Sequence, residues 1–223
     1  MKKRSMISSA LIMSYLLVLL GLSAQPKKET ESVKVLEQTN LQLQFDFADR
    51  ITFTTWEKDE VFVEVDVEIN AGRDNDIFSL KTEMTPTTIR ISMDRDLWNS
   101  IPSKNRKDCQ WSTTLNYTVY LPSSLEVHAN TISGDFELEY FEAPIYLKTI
   151  SGSIDIKIPP GSGMDFRAET ISGEMFSDLD IKFLDGKEGL RQVVGQKING
   201  RINDGGYQSR LKTISGNIYL RKG

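Results

Sequence analysis

The sequence predicts an all-β fold, a single-stranded parallel β-solenoid or β-roll with an N-terminal strand-rich portion. Three observations predict it. Thr-Ile-Ser-Gly occurs four times, at Thr131-Ile132-Ser133-Gly134, Thr149-Ile150-Ser151-Gly152, Thr170-Ile171-Ser172-Gly173 and Thr213-Ile214-Ser215-Gly216. Self-similarity at a period near 20 residues marks stacked repeats. Apolar and polar residues alternate down most of the chain, the period of half-buried strands, and no stretch beyond the N-terminal apolar run shows a helical period.

The first 24 residues read as a secretory signal peptide. Lys2-Lys3-Arg4 precedes an apolar run from Ala10 to Leu22, and Leu22-Ser23-Ala24 supplies small residues for cleavage before Gln25. The run is short for a membrane span, and no cysteine follows it to take a lipid. The expectation is therefore an exported protein of the bacterial periplasm or cell surface, with no transmembrane segment after cleavage.

The whole chain of 223 residues carries a net charge of −4. Losing Lys2, Lys3 and Arg4 lowers the basic count from 27 to 24 against 31 acids, about −7. That balance argues against a nucleic-acid partner, since phosphate binding needs a concentrated basic face. Cys109 is the only cysteine, so no internal disulfide is available. A lone thiol in an exported protein is expected to be buried and inert, or else bridged to another chain.

Residues 25–98 form the N-terminal strand-rich portion. Leu41, Leu43, Phe45 and Phe47 share one face, Val61 to Ile69 repeat the pattern at every second residue, and Ile89, Ile91 and Met93 continue it. Residues 99–111, with Pro102 and the basic run Lys104-Asn105-Arg106-Lys107, read as a solvated loop. Residues 112–223 form the repeat portion, opened by a strand at Leu115, Tyr117, Val119 and Leu121 that Pro122 ends.

Aligned on threonine, the copies read apolar-x-apolar-x-Thr-Ile-Ser-Gly-x-apolar-x-apolar, as in Val127, Ala129, Thr131, Gly134, Phe136 and Leu138. Buried parity follows the threonine before the motif and the isoleucine after it. A one-residue slip reverses every later side chain, so a bend or bulge is expected at each motif. The glycine shares the inward parity, where a side chain would strike the neighbouring arm or positive φ is needed. Stacking is then expected to bury a ladder of Ile132, Ile150, Ile171 and Ile214. The last threonine-to-threonine gap, 43 residues, is about two coils long and holds a degenerate copy at Lys197-Ile198-Asn199-Gly200. An antiparallel sandwich with repeated turns is the structural alternative.

The threonine row admits two readings. Facing water as a flat array, it would resemble the threonine rows of ice-binding solenoids, although coil lengths of 18 and 21 spoil a lattice match. As corner residues, the threonines would bond neighbouring backbone.

Catalytic chemistry finds little support. His128, the only histidine, lies between Val127 and Ala129 with outward parity and no partner set for a triad, and the His and Cys counts exclude a metal cluster built from them. Asp135, Glu137 and Glu139 alternate on a wet strand face, as solubilising acids do, rather than as a glycosidase pair. Asp135, Ser153, Glu174 and Asn217 follow the four glycines and could stack as calcium donors, but the Gly-Gly-x-Gly-x-Asp pattern of calcium-binding rolls is missing. No glycine loop precedes a helix to cradle a nucleotide. No catalytic, cofactor-binding or metal residue is assigned, and no cofactor is expected.

The segment Thr52-Phe53-Thr54-Thr55-Trp56-Glu57-Lys58-Asp59-Glu60-Val61, the repeated Thr-Ile-Ser-Gly, and the closing run from Ile198-Asn199-Gly200 through Gly205-Gly206 to Leu211–Leu220 resemble a family of exported bacterial β-solenoid proteins called "putative adhesins". The resemblance covers roughly residues 33 to 221. It implies a strand-only fold, residence in the cell envelope, no established enzymatic activity and no catalytic motif. Trp56-Glu57-Lys58-Asp59 looks like a tight turn between two paired strands, with Trp56 covering the open end of a layer or, alternatively, offering its ring to a sugar as a surface contact.

The function expected is a non-enzymatic envelope module for adhesion, structure or ligand binding through a solenoid face, its partner an envelope protein or a glycan. A periplasmic accessory in envelope signalling is the second reading, a polysaccharide-active enzyme the third. Open solenoid ends leave the oligomeric state undecided.

Overall fold

The computed structural model describes residues 26–100, 111–184 and 196–223. The expected signal peptide, Cys109 and the basic run Lys104–Lys107 lie outside the described residues.

The N-terminal portion contributes β1 (Lys27–Lys34), β2 (Asn40–Gln44), β3 (Phe47–Thr55), β4 (Glu60–Ile69), β5 (Leu80–Met84), β6 (Thr88–Met93) and the short helix α1 (Arg95–Ser100). The repeat portion contributes β7 (Thr113–Leu121), β8 (Glu126–Asn130), β9 (Ser133–Glu139), β10 (Ile145–Lys148), β11 (Ile154–Ile158), β12 (Met164–Ser172) and β13 (Met175–Ser177). It closes with β14 (Ile181–Phe183), β15 (Gln196–Ile202), β16 (Tyr207–Ser215) and β17 (Ile218–Lys222).

These strands make two sheets, ordered β1-β4-β7-β3-β9-β11-β17-β13 and β14-β15-β12-β16-β10-β8-β2-β6-β5. The alternation that predicts strands also sorts their side chains: Val61, Val63, Val65, Val67 and Ile69 are all fully buried, as are Leu41, Ile89 and Ile91. Inward residues of both sheets form one apolar core.

Five strand pairs, β2-β3, β8-β9, β10-β11, β16-β17 and β12-β13, each place one strand in each sheet, and adjacent pairs run parallel to one another. This much is the expected stack of coils. The fold is nevertheless not a single-stranded parallel solenoid, because both sheets are mixed. β1, β4 and β7 pair antiparallel at one end, β5 runs antiparallel to β6, and β15 runs antiparallel to both β12 and β14. The coils are also out of chain order, since β16 inserts between β10 and β12. Among the described residues of the long last gap there is no extra coil: the degenerate copy Lys197–Gly200 lies on β15, an antiparallel strand. The Trp56–Asp59 turn does not join paired strands either, because β7 lies between β3 and β4.

The corners stack in the order 131, 149, 213, 170. Each threonine is buried, and its hydroxyl donates to a carbonyl. Thr149 reaches Gly134 O at 3.5 Å, Thr213 reaches Gly152 O at 3.0 Å, Thr170 reaches Gly216 O at 3.0 Å, and Thr131 turns to Ser133 O of its own corner at 2.7 Å. An array facing water is thereby excluded. The serines form the outer backbone ladder, Ser151 N–H bonding Ile132 O at 2.9 Å and Ser215 N–H bonding Ile150 O at 2.8 Å.

The isoleucines depart from expectation. Ile132, Ile150 and Ile171 are 41, 42 and 48 % exposed, and Ile214 is half-buried. The parity slip is absorbed by turning two consecutive residues outward, so inward positions resume at the glycine rather than at the isoleucine. The glycines are then required by close approach: a Cβ on Gly152 would sit 2.1 Å from Gly134 O, and one on Gly134, at φ +140°, 2.8 Å from Ala48.

Candidate functional site

On the outer face of the nine-stranded sheet, one register row crosses seven strands: Arg90, Gln42, His128, Tyr146, Arg210, Arg167 and Asn199. At the spacing of neighbouring strands the row is about 29 Å long. Its members are held by one another. Arg90 donates twice to Gln42 Oε1, at 3.2 and 2.9 Å. His128 stacks on Tyr146 with centroids 4.3 Å apart, and the Arg210 guanidinium lies 5.4 Å from the Tyr146 centroid. His128 is further fixed by Glu126, 2.7 Å from Nε2.

Two open clefts lie along this row. One of about 620 Å³ is bounded by Gln42, Arg90, His128, Lys81, Arg95 and Asn130. The other, about 500 Å³, is bounded by Tyr146, Arg167, Arg210, Asn199, Arg201 and Gln208. A smaller apolar cleft of about 170 Å³, among Phe166, Met175, Leu179 and Ile181, opens between the sheets at the β13-β14 end.

Beside the row the face is basic on the side of β10, β16, β12 and β15. Lys148 and Lys212 stand next to Tyr146 and Arg210 on their strands, and Lys197 and Arg201 flank Asn199. Two carboxylates answer them. Arg201 Nε lies 2.6 Å from Asp165, and this bond chiefly holds the Asp165 carboxyl below the ordinary carboxylate range. Lys212 Nζ, 2.9 Å from Glu169, lowers that carboxyl in the same way.

The sequence-predicted residues lie elsewhere. The Thr-Ile-Ser-Gly copies form one corner between the sheets and shape the scaffold. Trp56 caps no open end; it sits on the outer face of the eight-stranded sheet, stacked on Tyr120 at 5.3 Å, with Nε1 bonded to Glu60 O at 2.8 Å and Lys58 Nζ 4.3 Å from its ring centroid. Neighbours thus cover the ring that a sugar would need. Asp135 accepts Ser153 N–H at 2.7 Å and Asn217 accepts Glu174 N–H at 2.9 Å, so this side-chain row ties layers together. Among the described residues, no cluster of three His, Cys, Asp or Glu could hold a metal, and no helix is long and apolar enough to cross a membrane.

The repeat did contain a signal for the row. The positions three residues before the four threonines are His128, Tyr146, Arg167 and Arg210. Reading the outward positions of the aligned copies, rather than the motif alone, brings them together.

The model of the Toastrack DUF4097 family matches residues 58–221. The chain belongs to that family. Its fold is similar to that of a "putative cell adhesion protein" from Clostridium sporogenes, with a TM-score of 0.50 and 11% identity over 89% of this chain and 100% of the other. A "putative adhesin" from Bacteroides fragilis matches at 0.33 and 11% identity over 91% and 100%, and a "putative lipid binding protein" from Parabacteroides distasonis at 0.28 and 11% over 88% and 96%. Among curated proteins none matches the chain. Toastrack membership fits the all-β, two-sheet architecture.

Proposed function

We propose that this Toastrack chain is a non-enzymatic, exported binding module of the bacterial envelope, which holds an extended glycan along the outer face of its nine-stranded sheet in an adhesive or structural role. The observation that carries this reading is the seven-strand row that joins two open clefts of about 620 and 500 Å³. Its guanidinium, amide, imidazole and phenol groups are hydrogen-bonding groups spaced at the strand repeat on a rigid support, which suits a linear polymer better than a compact ligand. A protein partner would need a buried apolar or aromatic anchor at the centre of its contact. The row's rings instead present their edges, because Tyr146 is flanked by His128 and Arg210.

The test is retention of the purified full-length protein on polysaccharide from the producing cell envelope. The reading expects Gln42→Ala with Tyr146→Ala to abolish retention and Trp56→Ala to leave it unchanged. Retention indifferent to the row would end this reading. Protease access to a tagged copy on intact and on permeabilised cells settles its side of the outer membrane: cleavage on intact cells supports adhesion, protection until permeabilisation a structural role in the periplasm.

A further inference from the structure

We infer that the glycan held on this face is anionic, a chain bearing carboxylates or phosphate esters, and that its charges rest on Arg167, Arg210 and Lys148. The inference deepens the glycan reading and rests on it.

Like charges stand directly opposite one another in this part of the sheet. Arg167 is the register partner of Arg210, Lys148 of Lys212, and Lys182 of Arg201. Such cross-strand pairs destabilise a sheet, and here three occur together on a chain whose net charge is −4. Arg201 and Lys212 are relieved by Asp165 and Glu169. Among the described residues, no carboxylate pairs within 4 Å with Arg167, Arg210 or Lys148, all three exposed; Glu169, two residues along β12, acts on Arg167 only at longer range and is itself bonded to Lys212.

The opposite face handles the same problem differently. There Glu137 is the register partner of Asp155, and Lys157 of Arg221. Arg50 neutralises Glu137 at 3.0 Å, Arg221 neutralises Asp155 at 2.9 Å, and Lys157 pairs with Glu139. Among the described residues, uncompensated repulsion is confined to the nine-stranded face, and the 500 Å³ cleft bounded by Tyr146, Arg167 and Arg210 leaves room for the missing counter-charge. An acidic sugar or a sugar phosphate offers planar or tripodal oxygens that a guanidinium grips in pairs. Nucleic acid fits less well, because both faces of the Tyr146 ring are flanked and none remains for a base to stack on.

The experiment is calorimetric titration of the full-length protein with polygalacturonate, poly(glycerol phosphate) and neutral dextran, repeated with the double variant Arg167→Gln/Arg210→Gln and with Arg221→Gln from the opposite face. Binding of one acidic polymer, weakened about tenfold by the double variant as two exposed charge contacts predict, unchanged by Arg221→Gln and screened by salt, supports the inference. Whether the uronan or the phosphate polymer binds names the source of the charge. Arg167→Gln alone should also melt no lower than the parent, since it removes a repulsion and leaves the Arg210–Tyr146 contact in place; a lower melting temperature would assign Arg167 a structural role and overturn the inference. Equal binding of dextran, untouched by the double variant, overturns the anionic assignment and leaves the glycan reading standing. Binding of none of the three overturns both. Capture of duplex DNA or anionic vesicles through the same arginines, without acidic polysaccharide, overturns the ligand class.

Discussion

The two outer faces of this molecule are built from the same coils, one strand of every coil in each, yet they treat charge in opposite ways. On the eight-stranded face, Arg50, Lys157 and Arg221 each lie against an acid on a neighbouring strand, and Trp56, Phe62 and Tyr120 close over one another. Among the described residues of the nine-stranded face, Arg201 and Lys212 are answered by Asp165 and Glu169, while Arg167, Arg210 and Lys148 stand beside further cations and form no ion pair. The core and the corners are shared, so the difference does not come from folding requirements. A face that pairs its own charges is a finished surface; one that leaves Arg167, Arg210 and Lys148 without ion-pair partners has positive charge to offer a ligand.

The comparison breaks most completely if the shared corner fails. Gly152→Val places a side chain where even a Cβ would lie 2.1 Å from Gly134 O. Backbone cannot swing aside as a flexible side chain can, so the cost is at the upper end of overpacking, about 3 kcal/mol or more. Both faces should be lost together. Thermal unfolding checks this, and an unchanged melting temperature would show that the corner does not hold the layers.

Trp56→Ala is the next largest change and acts on one face only. It removes the ring stacked on Tyr120 and near Phe62, at a cost of about 2 kcal/mol. Stability should fall while glycan retention on the opposite face stays as it was. Loss of retention with full stability would instead make Trp56 the binding residue.

How much of this was legible in the chain differs between the scaffold and the site. Period-two alternation from Val61 to Ile69 and the glycine of each corner follow from local sterics, and both were readable. The threonines' inward parity was readable too. The isoleucines were not, because whether a corner turns one residue outward or two depends on how the next layer bonds to it, and Ser151 bonds to Ile132 O across 19 positions. The mixed sheets and the insertion of β16 between β10 and β12 are long-range events that no local pattern encodes. The row itself was half visible: His128, Tyr146, Arg167 and Arg210 share one repeat position, but Gln42 and Arg90 lie outside the repeat and join only through strand register.

A smaller effect sharpens the contrast through its sign. Asp155→Ala on the eight-stranded face strips Arg221 of its carboxylate at 2.9 Å and leaves a cation beside Lys157. Arg167→Gln on the nine-stranded face removes a cation from beside Arg210 and leaves the Arg210–Tyr146 contact in place. Both changes are worth about 0.5 kcal/mol, the first at a half-buried carboxylate and the second at an exposed guanidinium, but the first should destabilise and the second stabilise. Denaturant midpoints of the two variants, measured side by side, check the pair. Two losses of equal sign would mean that the charges of the two faces are in truth equivalent.

The smallest expected effect concerns the two acids that partly answer the basic face. Arg201 holds the Asp165 carboxyl below its ordinary range, and Lys212 does so for Glu169. A carboxylate depressed by folding contributes stability that is present above its unfolded pKa, near 4, and is lost as pH falls through the lower folded value. Melting temperature should therefore decline below about pH 4, by a modest amount because the cations are well exposed, 41 and 39 % on their side chains. Asp165→Asn should flatten that decline and lower stability slightly at neutral pH, where Arg201 loses its partner and joins the unanswered cations. The same substitution makes the face more basic, so acidic polysaccharide should bind no more weakly than to the parent. Weaker binding would show that Asp165 itself touches the ligand, and would move the charge-bearing end of the site from Arg167 and Arg210 toward Arg201.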